Sequence, residues 1–241
     1  VALLTGGRVK IGYQAGIKLL RAGAEVIVTT RFPRDSAMRF AAEPDFDEWG
    51  DRLEIFGLDL RHTPSVEAFC HHLAATRSRL DFLVNNACQT VRRPPEFYRH
   101  MMELEAGPLA TLPAPAARLL GAYEGLRGYD MLSSGRSDEV VPGGLPVGVT
   151  HAAQLSQAAL LPEDLATSGD LFPQGRLDQD LQQVDLRDRN SWRLTLAEVS
   201  SVELLETQLV NAVAPFVLNA RLKPLMRRTT NRDKHTVNVS A

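Results

Sequence analysis

The first twelve residues contain a glycine-rich turn that also carries two cations. The stretch TGGRVKIG, residues 5–12, follows an apolar run and precedes apolar residues at helical spacing. Glycines let a backbone turn tightly and approach a phosphate closely, and the amides at a helix N-terminus attract anions. The expected pyrophosphate-binding residues are Gly6, Arg8, Lys10, Ile11 and Gly12. A structural turn without a ligand is the alternative.

The residue that ends the second apolar segment predicts which dinucleotide binds. In dinucleotide-binding folds an acid at this place bonds the ribose 2′-hydroxyl of NAD, whereas a basic residue accommodates the 2′-phosphate of NADP. Arg31 stands 19 residues after Gly12, and no carboxylate occurs before Asp35. A guanidinium can hold a phosphate through two parallel hydrogen bonds. We therefore expect NADP(H) as the preferred cofactor, with NAD(H) or a merely solvated Arg31 as the alternatives.

Alternating strand and helix patterns must position these residues. Apolar and β-branched runs predict strands at 2–5, 24–30, 53–60, 80–87 and 235–241. Helical spacing of Ile11, Ala15 and Leu19 predicts a helix through Arg21. A second helix is predicted to reach about Arg77, with Thr63 as N-cap and Pro64 as its first residue. Strands that alternate with helices predict an α/β fold with a doubly wound parallel sheet.

A long helix is predicted to begin near Thr195, where TLAE forms a capping box with Glu198. Pro215 interrupts its apolar pattern and predicts a kink. The predicted buried stripe consists of Val202, Leu205, Leu209, Val213, Phe216 and Ala220.

Residues 90–194 lack a clean period and contain many prolines and glycines, which predicts a long irregular insertion. We expect it to pack partly over the ligand edge of the sheet, with short helices near 114–127 and 150–160. Arg92 and Arg93 are expected to be solvated, and contact with a substrate anion is the alternative.

Composition excludes several classes of partner. The 241 residues are 44% hydrophobic with a net charge of −2, which favours one sizeable core and no general nucleic-acid surface. No apolar run approaches the roughly 18 residues of a membrane span. The two cysteines, Cys70 and Cys88, give no disulfide framework, which predicts a cytoplasmic protein. Cys70 to His72 are adjacent on a predicted helix and point in different directions, so no metal site is expected.

Several motifs in order resemble the short-chain dehydrogenase/reductase family. Its T-G-x-x-x-G-x-G loop appears as TGGRVKIG, with Lys10 in place of the middle glycine, and its N-N-A-G motif appears as NNAC, residues 85–88. Its acid after the third strand matches Asp59, its helix asparagine matches Asn211, and its N-x-S strand matches VNVSA. The resemblance covers residues 1–89 and about 195–241.

This resemblance implies one NAD(P)-binding Rossmann domain over residues 1–241, interrupted by the insertion. It implies hydride transfer between the nicotinamide and a small carbonyl or alcohol substrate. The implied cofactor contacts after the third and fourth strands are Asp59 at the adenine, with Leu60 beside it, and Asn86 and Ala87 at the adenosine. Asn211 would order a water in the proton relay, and Ser240 would lie near the substrate carbonyl.

The family's proton donor, a tyrosine in Y-x-x-x-K, does not occur in this sequence. The residues four places after Tyr13, Tyr98, Tyr123 and Tyr129 are Ile17, Met102, Arg127 and Ser133. Both ends read as cut through structure, so we expect the pair to lie beyond residue 241 and the chain as given to be inactive. An unpaired sheet edge would then favour self-association. A non-catalytic dinucleotide-binding sensor or scaffold is the alternative function.

Overall fold

The computed structural model describes residues 1–126, 151–165 and 171–239, and its centre is a parallel sheet. The strands are β1 (Ala2–Thr5), β2 (Val26–Thr30), β3 (Leu53–Gly57), β4 (Phe82–Asn85) and β5 (His235–Asn238). Their order is β3-β2-β1-β4-β5, and every neighbouring pair is parallel. The predicted doubly wound parallel sheet is therefore confirmed.

Helices connect the strands and cover the sheet. The α-helices are α1 (Lys10–Arg21), α2 (Pro33–Ala41), α3 (Phe46–Trp49), α4 (Thr63–Thr76), α5 (Pro95–Ala106), α6 (Ala114–Arg118), α7 (Ala152–Leu155), α8 (Ser201–Gln208) and α9 (Ala214–Met226). A π-helical turn, Leu209–Val213, joins α8 to α9. Short 3-10 turns occupy Gly50–Arg52, Leu109–Thr111, Pro162–Leu165 and Leu196–Glu198.

The core forms where helices pack on both faces of the sheet. Every residue of β1 and β2 is buried, which explains why these strands read as continuous apolar runs rather than alternating ones. Helix α9 packs against α4, and α1 places Ile17 and Leu20 in the same core. No helix among the described residues has both the length and the apolar character to cross a bilayer.

The predicted helix through Arg21 is confirmed as α1, although Ile11 is 65% exposed because α1 buries the face that carries Gly12, Gly16 and Ile17. The predicted N-cap of α4 is wrong. Helix α4 is capped by His62, whose Nδ1 accepts a hydrogen bond from the Ser65 amide at 3.3 Å, so Thr63 already lies inside the helix.

The predicted start of the long helix is also wrong. Thr195 and Glu198 do form the capping box, but it closes only the 3-10 turn Leu196–Glu198. The α-helix begins after Ser200, whose hydroxyl accepts from the Glu203 amide at 3.1 Å.

The predicted buried stripe of that helix is wrong as well. Leu205 is 62% exposed and Phe216 is 72% exposed. The buried positions are Glu206, Val210, Ala214, Val217, Leu218, Leu222 and Leu225. A pattern restricted to apolar residues misses this face because its first member is a glutamate that is buried with arginines.

The insertion contains short helices at α6, at residues 121–126 and at α7, close to where they were predicted. Part of the insertion also packs into the central core, in addition to the expected position over the ligand edge of the sheet. The Ile55 amide donates to the Leu119 carbonyl at 2.9 Å, and Leu120 and Tyr123 belong to the central core. This part of the insertion therefore covers the outer edge of β3.

Candidate functional site

A cleft of about 560 Å³ opens at the carboxyl ends of the parallel strands. In doubly wound sheets, ligands bind at this edge, where the strand order reverses. All ten residues predicted to bind a cofactor line the cleft: Gly6, Arg8, Lys10, Ile11, Gly12, Arg31, Asp59, Leu60, Asn86 and Ala87. The insertion contributes Arg92, Tyr98, Gln182 and Trp192 to the same walls.

The glycine loop, residues 6–12, connects β1 to α1 in a conformation that depends on its glycines. Gly6 has a φ of 68°, and Lys10, at the place of the family's middle glycine, has a φ of 54°. A Cβ at Gly12 would stand 2.2 Å from the Gly6 carbonyl oxygen and 2.5 Å from Nδ2 of Asn86. The loop is therefore closed too tightly at Gly12 for any side chain.

The end of β4 holds this loop in place. Asn86 donates through Nδ2 to the carbonyls of Thr5 and Gly6 at 3.0 and 3.2 Å. The Thr5 hydroxyl accepts from the amides of Asn86 and Ala87, both at 3.0 Å. Asn86 thus holds the glycine loop in place. The sequence predicts a contact of Asn86 with the adenosine and not this positioning role.

Arg8 is paired with a carboxylate and is therefore not a free cation for a phosphate. Its Nη1 lies 2.8 Å from Oδ2 of Asp35, which also accepts from Arg39 at 2.7 Å. Burial lowers the pKa of the Arg8 guanidinium from its ordinary value. Burial alone would raise the pKa of Asp35, but the two arginines hold it below its ordinary value. Asp35 is consequently paired with two arginines through one oxygen, Oδ2, which offsets its charge.

Arg31, by contrast, has a neutral partner. Its Nη2 donates to the Tyr98 hydroxyl at 2.7 Å, and its guanidinium carbon lies 4.7 Å from the centre of that ring. Across residues 1–126, 151–165 and 171–239, Arg31 forms no ion pair with a carboxylate. The β2 end of the cleft therefore presents a cation whose charge no direct partner offsets.

A second wall of the cleft carries a chain of ion pairs, which we call the arginine–carboxylate network. Arg61 contacts Asp59 and Glu206, both at 2.6 Å. Arg92 contacts the other oxygen of Glu206 at 2.9 Å and holds both oxygens of Asp164 at 2.7 and 2.6 Å. Burial would raise the pKa of Asp59, but hydrogen bonding and charge from Arg61, with the charge of Arg31, hold it below its ordinary value.

The expected solvation of Arg92 and Arg93 is wrong. Arg92 is only 9% exposed, and its guanidinium donates to Glu206 and Asp164. Arg93 pairs with Asp185 at 3.1 Å, and its guanidinium carbon lies 4.2 Å from the Phe97 ring centre. The sequence reasoning also missed Tyr98 and Glu206. No local signal marks Glu206, because the predicted buried stripe passes through Leu205 instead.

Asn211 lies outside the walls of the cleft. Its Oδ1 accepts from the Gln89 amide at 2.7 Å and its Nδ2 donates to the Gln89 carbonyl at 2.9 Å, so it clamps the segment after β4. It sits in the π-helical turn, four residues before Pro215, whose missing N–H cannot bond the Asn211 carbonyl. Ser240, the other predicted catalytic residue, lies outside the described residues.

The cysteines and histidines form no metal centre in the part of the chain that is described. Cys70 is buried, and burial raises the pKa of its thiol to about 12. Cys88, which replaces the glycine of N-N-A-G, is exposed on the cleft wall.

Comparison with known proteins supports the motif assignment over the first part of the chain. Residues 1–103 match the family model described as short chain dehydrogenase. An uncharacterized protein of Acanthamoeba polyphaga mimivirus is 38% identical over 95 residues, which are 37% of this chain and 20% of that protein. A fatty acyl-CoA reductase of Acinetobacter baylyi is 30% identical over 93 residues, 39% of this chain and 30% of that protein.

The matches to these curated relatives thus span less than a third of their length. Among solved structures, a protein of Burkholderia multivorans assigned to the short-chain dehydrogenases/reductases, with bound NADP, is 15% identical. It aligns with 100% of this chain and 58% of its own, with a TM-score of 0.47. This structural likeness is weak and supports no further conclusion. Residues 1–103, which are less than half of the chain, are similar to the short chain dehydrogenases that the family model describes.

Proposed function

We propose that the protein is an NADP(H)-dependent oxidoreductase that transfers hydride between the nicotinamide and a carbonyl or alcohol substrate. One observation carries the cofactor choice: the β2 end of the cleft holds Arg31 without a carboxylate partner among the described residues, while Asp35 is occupied by Arg8 and Arg39. A 2′-phosphate placed there gains a guanidinium partner, whereas the ribose 2′-hydroxyl of NAD finds no free acid.

The remaining assignments follow the cleft. The glycine loop would hold the pyrophosphate, Asp59 and Leu60 would lie at the adenine, and Asn86 with Ala87 would close the adenosine side. Asn211 and Ser240 are proposed for the proton relay. The side-chain amide of Asn211 is already bonded to Gln89. The group of Asn211 that would bind the relay water is therefore its backbone carbonyl, to which Pro215 cannot donate.

We further propose a single domain over residues 1–241 and a cytoplasmic location, the latter supported by two unpaired cysteines. Self-association into a homo-oligomer is part of the same proposal.

The cofactor proposal is tested by titrating the protein with NADPH and NADH. Charge-assisted hydrogen bonds contribute about 1.5–3 kcal/mol each, so the wild type should bind NADPH roughly 10- to 100-fold more tightly. Arg31→Asp should abolish or reverse that preference, because it replaces the cation by an acid. Equal binding of the two cofactors by the wild type contradicts the proposal.

A second candidate function is a dinucleotide-binding sensor or scaffold without turnover. The Y-x-x-x-K pair that would separate the two functions does not occur within residues 1–241. General acid–base assistance contributes about 10²–10⁴-fold to such reactions. NADPH oxidation by a C-terminally extended form of the protein should therefore be followed with a panel of ketones and short- and long-chain aldehydes. Tight NADPH binding with no oxidation of NADPH by any of them supports the sensor; turnover supports the enzyme.

A further inference from the structure

The side chain that orients Arg31 comes from α5, outside the βαβ unit that carries Arg31. Tyr98 lies on α5, 67 residues after Arg31, and its hydroxyl accepts from Arg31 Nη2 at 2.7 Å. The guanidinium carbon stands 4.7 Å from the Tyr98 ring centre and 5.6 Å from the Phe32 ring centre. Stacking on two rings and one hydrogen bond together define where the guanidinium points.

Tyr98 is itself immobilised. It is 7% exposed, and its ring centre lies 5.0 Å from that of Phe32 and 4.9 Å from that of Phe97 in an edge-on arrangement. Phe97 in turn packs edge-on against Phe172. The aromatic cluster of Phe32, Phe97, Tyr98 and Phe172 therefore gives Arg31 a rigid support.

The neutral character of this support matters as much as its rigidity. A carboxylate would orient a guanidinium equally well, but it would also cancel the charge that a phosphate needs. Asp35 does this to Arg8 on the same side of the cleft, at 2.8 Å. A phenol hydroxyl accepts the hydrogen bond and leaves the full positive charge of Arg31 available.

We infer that Tyr98 is a positioning residue for cofactor selection, which preorganises Arg31 to receive the 2′-phosphate of NADP(H). This inference rests on the proposed NADP(H) preference. Immobilising a long side chain on binding costs about 0.5–1.5 kcal/mol, and a side chain already held in place avoids that cost. The insertion thereby takes part in choosing the cofactor as well as covering the sheet.

The test compares Tyr98→Phe, which keeps the stacking ring and removes only the hydroxyl, with the wild type. NADPH and NADH dissociation constants are measured by fluorescence titration. We expect NADPH binding to weaken roughly 2- to 10-fold, with NADH binding unchanged, because only the 2′-phosphate contact depends on Arg31. The matched control is Tyr13→Phe, which removes a hydroxyl bonded to Glu43 at 2.6 Å outside the cleft and should alter neither constant.

A double-mutant cycle separates positioning from general damage. In an Arg31→Met background, Tyr98→Phe should leave NADPH binding unchanged, since the side chain that it positions is gone. An equal loss with and without Arg31, or an equal loss for NADPH and NADH, overturns the role of Tyr98. A wild type that prefers NADPH, combined with an unaltered preference in Tyr98→Phe, overturns this inference and leaves the proposed function intact. A wild type without preference overturns both.

Discussion

The two walls of the cleft differ in whether their arginines are paired with carboxylates. In the arginine–carboxylate network, Arg61 and Arg92 are each bonded to two carboxylates. Every member of the network except the partly exposed Arg61 is buried. At the β2 end, Arg31 is bonded to a phenol and retains its charge. The first wall uses ion pairs to join the insertion to the sheet and the long helix, whereas the second keeps a cation ready for a ligand.

The acids of the two walls differ in the same way. Burial would raise the pKa of Asp164, but its bonds with Arg92 hold it below its ordinary value. Glu105, on the β2 side, is also fully buried, yet its Oε1 accepts only from the amides of Arg34 and Asp35 at 3.0 and 2.9 Å. Burial raises the pKa of Glu105 to about 7. The arginine partner thus holds the pKa of Asp164 below its ordinary value, whereas burial without such a hydrogen-bond partner raises the pKa of Glu105.

The largest expected effect comes from breaking the network at Arg92. Arg92→Met leaves the Asp164 carboxylate buried without its cation and should lower the free energy of unfolding by about 3–5 kcal/mol. The measurement is urea unfolding followed by circular dichroism.

The matched control is Arg221→Met, the same substitution at a guanidinium that also holds two carboxylate oxygens, those of Glu67 at 2.7 and 2.9 Å, but on the surface. Its effect should be far smaller, because water solvates the charges that remain. Equal effects for the two variants contradict the structural role assigned to the network.

The next effect concerns the pH dependence of stability at Glu105. The folded chain holds this proton up to about pH 7, whereas the unfolded chain releases it near the ordinary value of 4.5. Unfolding therefore releases a proton between these values, so the Glu105 contribution to stability is complete below about pH 4.5 and is lost as the pH rises to 7. The loss is on the order of 3 kcal/mol.

Glu105→Gln keeps an acceptor for the two amides and cannot titrate. Relative to the wild type, its free energy of unfolding should rise between pH 5 and 8, measured by urea unfolding at each pH. Glu103→Gln, at an exposed glutamate of the same helix, should follow the wild-type profile. A constant difference between Glu105→Gln and the wild type across this range contradicts the assigned proton.

The third effect concerns binding at the glycine loop. Gly12→Ala places a Cβ against the Gly6 carbonyl and Asn86, so the loop must open at the expected pyrophosphate position. Overpacking of this kind costs about 1–3 kcal/mol, which corresponds to a roughly 5- to 150-fold loss of NADPH affinity.

Gly16→Ala, one turn further along α1, is the control for that substitution. Its Cβ would approach the Phe40 ring at 3.3 Å and Cδ2 of Leu4 at 3.5 Å, and Gly16 lies outside the cleft. Titration should show unaltered NADPH affinity. A comparable loss in both variants shows that the helix, rather than the loop closure, determines binding.

The sequence predicts the binding wall of the cleft much better than the network. Local signals suffice for β1, the glycine loop and Arg31, because these residues lie within one βαβ unit and their roles follow from position along it. The pairing of Arg61, Glu206 and Arg92 joins segments that are more than 100 residues apart. No local pattern encodes such contacts, and the apolar stripe expected around Leu205 excluded Glu206 from the buried face. Tyr98 was missed for the same reason, since only the fold brings α5 beside Arg31.

The smallest effect concerns Lys10, the residue at which the loop departs from the family's glycine pattern. An L residue in the left-handed region costs about 1–2 kcal/mol, and glycine removes this strain but adds about 0.5–1 kcal/mol of chain entropy. Lys10→Gly should therefore stabilise the protein by at most about 1.5 kcal/mol relative to Lys10→Ala, which keeps the strain while removing the same charge. The Lys10 ammonium lies 3.7 Å from Asp180 and is more than half exposed, so both variants lose the same weak surface pair and its contribution cancels in the comparison. Thermal unfolding of the two variants side by side gives the difference directly. If Lys10→Ala is the more stable of the two, residue 10 is not strained. Only positions 6 and 12 of the loop then require glycine.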